Sequence, residues 1–190
     1  MGEKTMKKYV MFVVAFAALV LAQPGVARDI AYALIGEAGV VTLVNLHPDE
    51  KARRLYSVNY QQDGLLPLCT KVRITAVTHR VMNFELEDGG RKYEYVFHDT
   101  LRQEIPKHLD QFFGKTCPKK QVDSLGKVDR QGIMEGRALP GMTKAGVILA
   151  IGYPPEHATP SLDGSVWKYW RNRFATTLIH FEDGKVARPQ

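Results

Sequence analysis

Two cysteines and six histidines hold most of the reactive chemistry open to this 190-residue chain. Cys69 and Cys117 admit three readings: a disulfide, two buried thiols, or a nucleophile, which would need a histidine and an orienting group beside it in space. His47, His79, His98, His108, His157 and His180 stand far apart, with no ligand-like spacing between any two. A metal site would have to be assembled by the fold, with His98, Asp99 and His108 the first candidates, and ordinary surface or turn positions explain these residues more simply. There is no Gly-x-Ser-x-Gly elbow, no glycine-rich phosphate loop and no His-Glu-x-x-His pair. No catalytic residue, metal ligand or cofactor is therefore assigned. Glu85, Glu87 and Glu94 lie on the polar side of an expected hairpin, where Arg91 and Lys92 make them solvated cross-strand partners rather than an acid and a base. The richest aromatic group is Trp167, Tyr169 and Trp170, the candidate partner-binding residues. Alternation puts Trp167 and Tyr169 on one face, with a core role as the default, and Trp170 on the other.

How the cysteines read depends on the compartment, and the first thirty residues supply an address. Lys7 and Lys8 precede an apolar run from Tyr9 to Ala22, followed by small residues with cleavage positions after Ala22 or Ala27 and a later one at Ala31-Tyr32-Ala33. A basic start, a short apolar core and small residues make a secretory signal, expected over residues 1–27. About 14 apolar residues cannot cross a hydrocarbon core that needs roughly 20. No cysteine follows the small residues at Leu21-Ala22-Gln23, so no lipid attachment is expected. In an oxidising compartment a cysteine pair is more often a bridge than two thiols, and Cys69–Cys117 would close a loop worth about 4 kcal/mol in the chain-entropy model.

The whole chain carries a formal charge of +6, with 45% apolar and 24% charged residues, which excludes wholesale disorder and collagen-like repeats. Without residues 1–27, twenty-three basic residues stand against nineteen acidic ones, a net +4 scattered along the chain. Nucleic-acid binding would need clustering on one face and is not expected.

The elements that must position these residues change grammar near residue 125. From Gly39 to His98 the period is two. Strands are expected at 40–46, at 55–61 with Tyr56, Val58 and Tyr60 on one face, and at 71–77. A hairpin then pairs Met82, Phe84 and Leu86 with Tyr93, Tyr95 and Phe97 around Asp88-Gly89-Gly90. Five short strands suggest a small antiparallel barrel or sandwich over 39–114. Residues 101–114 read as a helix across its open end, with Leu109, Phe112 and Phe113 on one side and Gly114 as the stop. The polar stretch 115–130 reads as a linker. Thr143 then caps a short helix over 144–151, ended by Gly152 and Pro154-Pro155. Val166–Trp170 and Thr176–Glu182 read as strands, with Asp183-Gly184 turning into Lys185-Val186.

Gly136 to Lys144, Val147, Gly152-Tyr153-Pro154, Trp167-Lys168-Tyr169 and Phe181 to Val186 form an ordered succession over residues 131–188 that resembles the SmpA/OmlA (BamE-like) domain. The resemblance implies an α+β unit of two short helices on a three-stranded antiparallel sheet. It also implies a role in the cell envelope, where BamE is an accessory subunit of the outer-membrane β-barrel assembly machine. Leu65 to Ile74 is similar, more weakly, to a step of bacterial SH3-like domains, with Cys69 where glycine is usual.

The expected fold is thus α+β, an SH3-like barrel or sandwich followed by a BamE-like domain. The expected function is an exported, periplasmic, non-enzymatic binding or scaffold module linked to outer-membrane assembly or maintenance. Its partner would be an envelope protein or peptidoglycan, with peripheral association to the outer membrane. The alternatives are an envelope hydrolase with a site built from dispersed histidines and acids, and an enzyme-inhibitor module, since the BamE-like fold resembles that of β-lactamase inhibitory proteins.

Overall fold

Alternation of apolar and polar residues builds the first sheet. In a computed structural model that describes residues 33–187, its strands are β1 (Val40–Thr42), β2 (Arg54–Tyr56), β3 (Lys71–Val77), β4 (Val81–Leu86), β5 (Lys92–Val96) and β6 (Phe113–Gly114). The expected signal segment, its cleavage positions after Ala22 and Ala27, and Arg188 lie outside the described residues, and the later option reaches them only at Ala33. Val72 and Ile74, Met82 and Phe84, and Tyr93 and Tyr95 are buried on one face, as the period-two pattern requires. Asp88-Gly89-Gly90 makes the β4–β5 turn, with both glycines at positive φ. The spatial order is β2-β5-β4-β3-β1-β6, a curled sheet or half-barrel with an irregularity between Ile74 and Ala76 that bends β3.

Three expectations are corrected here. The sheet is not wholly antiparallel, because β2 joins β5 in parallel. Arg54 stands opposite Glu94, its Nε and Nη2 donating to Oε2 at 2.9 and 2.5 Å, while Leu55 is buried. The second strand also stops at Tyr56, and Ser57, Val58 and Asn59 are buried in succession instead of alternating. Asn59, at φ 48°, turns the chain so that its side chain can reach a helix described below. Finally, residues 101–114 hold only the five-residue helix α1 (Ile105–Leu109). Leu109, Phe112 and Phe113 are all buried, but Phe113 is buried as a strand residue opposite Thr42. Apolar spacing could not separate these outcomes; pairing with β1 decided between them.

The polar stretch read as a linker is helical in part: α2 (Lys119–Ser124) lies within it, and α3 (Lys127–Glu135) starts there. No residue of α2 is buried, so its composition resembles that of a loop. Next come α4 (Lys144–Ile151), then β7 (Val166–Trp170), β8 (Thr176–Glu182) and β9 (Lys185–Val186), an antiparallel sheet in the order β7-β8-β9. Thr143 caps α4 as expected, its Oγ1 accepting from Gly146 N at 3.1 Å. Helix α4 crosses α3 at close range because Gly146 has no Cβ, which would stand 2.0 Å from Asp129 Oδ1. That carboxylate accepts from Thr143 N at 2.7 Å and Thr143 Oγ1 at 3.1 Å, fixing the cap from below.

Cys69 and Cys117 form a disulfide, with Cα atoms 5.0 Å apart, tying the start of β3 to the chain just before α2. Cys69 has φ 65°, the left-handed region that glycine enters most readily. One apolar cluster runs from Val40 and Phe84 through Leu149 and Ile151 to Trp167 and Phe181, so the strand-rich half and the C-terminal half share a core. Among the described residues no helix is long and apolar enough to cross a membrane.

Candidate functional site

The end of α4 organises the middle of the molecule. A helix leaves its last four carbonyls without intrahelical partners, and burying them unpaired is costly. The last three residues of α4, Leu149, Ala150 and Ile151, are all buried, so water cannot readily serve their carbonyls. The strand-rich half does so instead. Leu149 O accepts from Asn45 N at 2.9 Å. Ala150 O accepts from Asn45 Nδ2 at 3.1 Å and His47 Nε2 at 3.3 Å. Ile151 O accepts from Asn59 Nδ2 at 2.8 Å and Gln61 Nε2 at 2.9 Å. Tyr169 Oη closes the set by donating to Gly152 O at 2.9 Å. Asn59 also reaches Tyr153 O, and Asn45 also reaches Ile133 O in α3. Burial holds the His47 imidazole below its ordinary pKa, against the opposing pull of the backbone carbonyls it touches, and pushes the Tyr169 phenol well above its own.

Beside this junction lies a groove of about 860 Å³. Ile151, Tyr169 and Ile179 form its apolar floor; Gln61, Gln62 and the Gly136–Ala138 turn form one wall, and β8 with Val186 and Ala187 the other. The β8 wall is an open strand edge. Phe181 N donates to Ser165 O at 2.7 Å and Arg171 N to Ala175 O at 2.8 Å, so the odd-numbered residues of β8 turn their backbone groups toward β7. The even-numbered residues face the other way. There Glu182 pairs with Lys185, and Ala187 N donates to His180 O at 2.8 Å. Past that bond, the outward backbone groups of Leu178 and Thr176 meet no second partner strand among the described residues.

The groove's charge is lopsided. Arg137 is paired with Glu135, whose carboxyl it holds below its ordinary pKa. Arg171 has no ion pair among the described residues. Gly164 to Phe181 contains no acidic residue, and among the described residues Glu182 is the one carboxylate on the lining. Gln62 Oε1 is buried there and accepts no hydrogen bond from the described residues.

The residues singled out from sequence are dispersed by the fold. Trp167 is fully buried, with its ring 4.7 Å from Phe181, and Tyr169 is buried in the groove floor. Of the three candidate partner-binding aromatics, Trp170 alone is half-exposed, stacked on His157 at 6.4 Å with Lys168 Nζ 5.0 Å from its ring centre. His98, Asp99 and His108 do not form a site: His98 Nδ1 engages Thr100, while His108 is buried with Nε2 2.8 Å from Tyr95 Oη. Burial lowers the His108 pKa to about 4 and raises that of Tyr95. Among the described residues no three His, Cys, Asp or Glu side chains stand together as metal ligands would. Glu94 and Glu85 serve structural ion pairs with Arg54 and Arg73.

The asparagines, Gln62 and the open β8 edge were not singled out from sequence. Asn45 and Asn59 sit inside runs that read as strands, and a missing neighbour strand leaves no mark on composition. No family model, curated protein or solved structure matches this chain, so the functional reading rests on this geometry.

Proposed function

We propose that this chain is an exported, non-enzymatic binding module of the cell envelope, and that the groove beside β8 is where it holds its partner. The observation that carries the reading is an apolar-floored cleft of about 860 Å³ bordered by an unpaired strand edge, an arrangement suited to receiving another molecule. The Cys69–Cys117 disulfide supports an oxidising compartment, and the secretory pattern of residues 1–27 supports export. The resemblance of residues 131–188 to the BamE-like domain favours an envelope protein as the partner, acting in outer-membrane assembly or maintenance.

The test is site-specific photocrosslinking in intact cells. A photoreactive residue at Leu178 or Arg137 should trap one recurrent envelope partner, while the same residue at Thr75, on the outer side of β3, should not. Equal trapping at all three positions, or none at any, overturns the proposal.

One observation favours a second reading. His47, His180 and Glu182 share the groove lining, the combination that the hydrolase alternative asks for. Against it, His47 is engaged with backbone carbonyls, and no hydrogen bond or ion pair links the three among the described residues. A peptidoglycan zymogram decides: clearing by the wild type that is lost in His180→Ala would replace the binding reading with an enzymatic one.

A further inference from the structure

We infer that the groove takes an extended, acidic segment of a partner polypeptide, which adds to β8 as a fourth strand against Thr176–Leu178. The inference rests on the binding-module reading and names the partner's chemistry and mode of attachment.

The backbone argument comes first. Thr176 and Leu178 present N–H and C=O groups outward, in line with the bond that Ala187 already makes to His180. Exposed edges of this kind invite pairing, and proteins usually guard them with lysine, proline or a bulge. Thr176-Thr177-Leu178 carries neither lysine nor proline. A strand laid here would send alternate side chains over the apolar floor at Ile151 and Ile179 and the others outward toward Leu178, which is 51% exposed.

Charge selects among occupants. Arg171 stands unpaired at the groove and Arg173 on the adjoining turn, with no acid between Gly164 and Phe181. A carboxylate on the added strand would compensate them. A second copy of this chain would do the reverse: β9 and Ala187 already cover the edge from His180 onward, so self-pairing is confined to the stretch next to the turn and brings two Arg171–Arg173 turns together. A lipid surface supplies no backbone for the open edge.

The test titrates acetyl-Val-Glu-Val-Glu-Val-amide into the intact, disulfide-bonded chain and follows amide resonances and hydrogen exchange. The expected result is saturable shifts at residues 176–178 and at least tenfold slower exchange of the Thr176 and Leu178 amides. Affinity should fall at least tenfold when lysine replaces glutamate in the peptide, and severalfold in Arg171→Glu. Leu178→Pro deletes an outward N–H without touching the β7 ladder and should abolish binding, whereas Leu178→Ala should retain it. Since Leu178→Pro could perturb the strand, a peptide N-methylated at both its central valine and the following glutamate, which blocks either edge of the added strand, gives the same check on the unaltered protein and should lose binding.

The inference falls if the peptide gives no saturable shift, if the N-methylated peptide binds as well as its parent, or if the edge amides gain protection with protein concentration alone, which would mean a second copy. It falls equally if only anionic vesicles produce shifts. Crosslinking from Leu178 that persists while the edge amides ignore the peptide would retain the binding module and reject strand addition. Loss of both would reject both.

Discussion

Asn59 joins a left-handed backbone to the donation of two buried hydrogen bonds, and few residues can do both. Its φ of 48° suits asparagine or glycine, while its amide serves Ile151 O and Tyr153 O. Asn59→Gly keeps the backbone permissive and removes the amide, so its effect isolates the hydrogen bonds. A loss of about 1–3 kcal/mol in urea denaturation is expected, because Tyr153 O loses the amide and Ile151 O keeps only Gln61 Nε2; a change below about 0.5 kcal/mol would show that water replaces the amide. His108 makes a prediction about pH. Its folded pKa is about 4 against an ordinary 6.5, so between these values the unfolded chain binds more protons than the folded one. Its contribution is therefore fully present above pH 6.5 and is withdrawn as pH falls toward 4, by about 3 kcal/mol in all. Denaturation midpoints measured from pH 7 to pH 4.5 should fall, and His108→Gln should flatten that slope even if it lowers stability at pH 7. An unchanged slope would assign the acid sensitivity to other groups.

Helix α4 is set at both ends by different parts of the chain. At its start, Asp129 holds the Thr143 cap in the space left by Gly146. Gly146→Ala would favour helix by propensity, by about 1 kcal/mol. Here the new methyl meets Asp129, and a net destabilisation of about 2 kcal/mol or more is expected in thermal melts; a stabilised variant would mean that α3 and α4 can slide apart. The Thr143 cap, the glycine stop, the strands β7 and β8 and the Asp183-Gly184 turn into β9 were legible in the sequence because each depends on neighbours within a few residues. The β4–β5 hairpin was legible for the same reason. What escaped was set at long range. Phe113 is a strand residue because Thr42 lies beside it, and β2 lies parallel to β5, some forty residues away in sequence, with Arg54 opposite Glu94. The groove escaped because its opposite walls, Gln61-Gln62 and β8, are more than a hundred residues apart in sequence. Aromatic content pointed to Trp167, Tyr169 and Trp170, and the alternation that gave Trp167 and Tyr169 a core role by default matches their burial.

Across the whole molecule, two long-range ties constrain the chain: the disulfide and the junction at α4. The disulfide was legible from compartment chemistry, and its consequence is a test of stability. Reduction, or Cys69→Ser with Cys117→Ser, should cost about 4 kcal/mol in denaturant unfolding while the groove stays in place. Intact mass before and after reduction should differ by two hydrogens, and alkylation of both thiols without reductant would contradict the bridge. The junction makes the opposite kind of prediction. Residues 126–187 expressed alone keep Asp129 and all of α3 but would leave the carbonyls of Leu149, Ala150 and Ile151 without Asn45, His47, Asn59 and Gln61. That fragment should lack dispersed amide resonances and gain them when residues 33–125 are supplied as a second chain; a fragment that folds unaided would show that the tie is dispensable. The same junction bears on how such a chain changes over generations. Its halves look like modules that recombination could exchange, yet a C-terminal half moved into a new gene would arrive with a buried helix end and none of the side chains that complete it. Any heritable swap must carry the asparagine-bearing loops along, so the unit passed on intact is the junction itself.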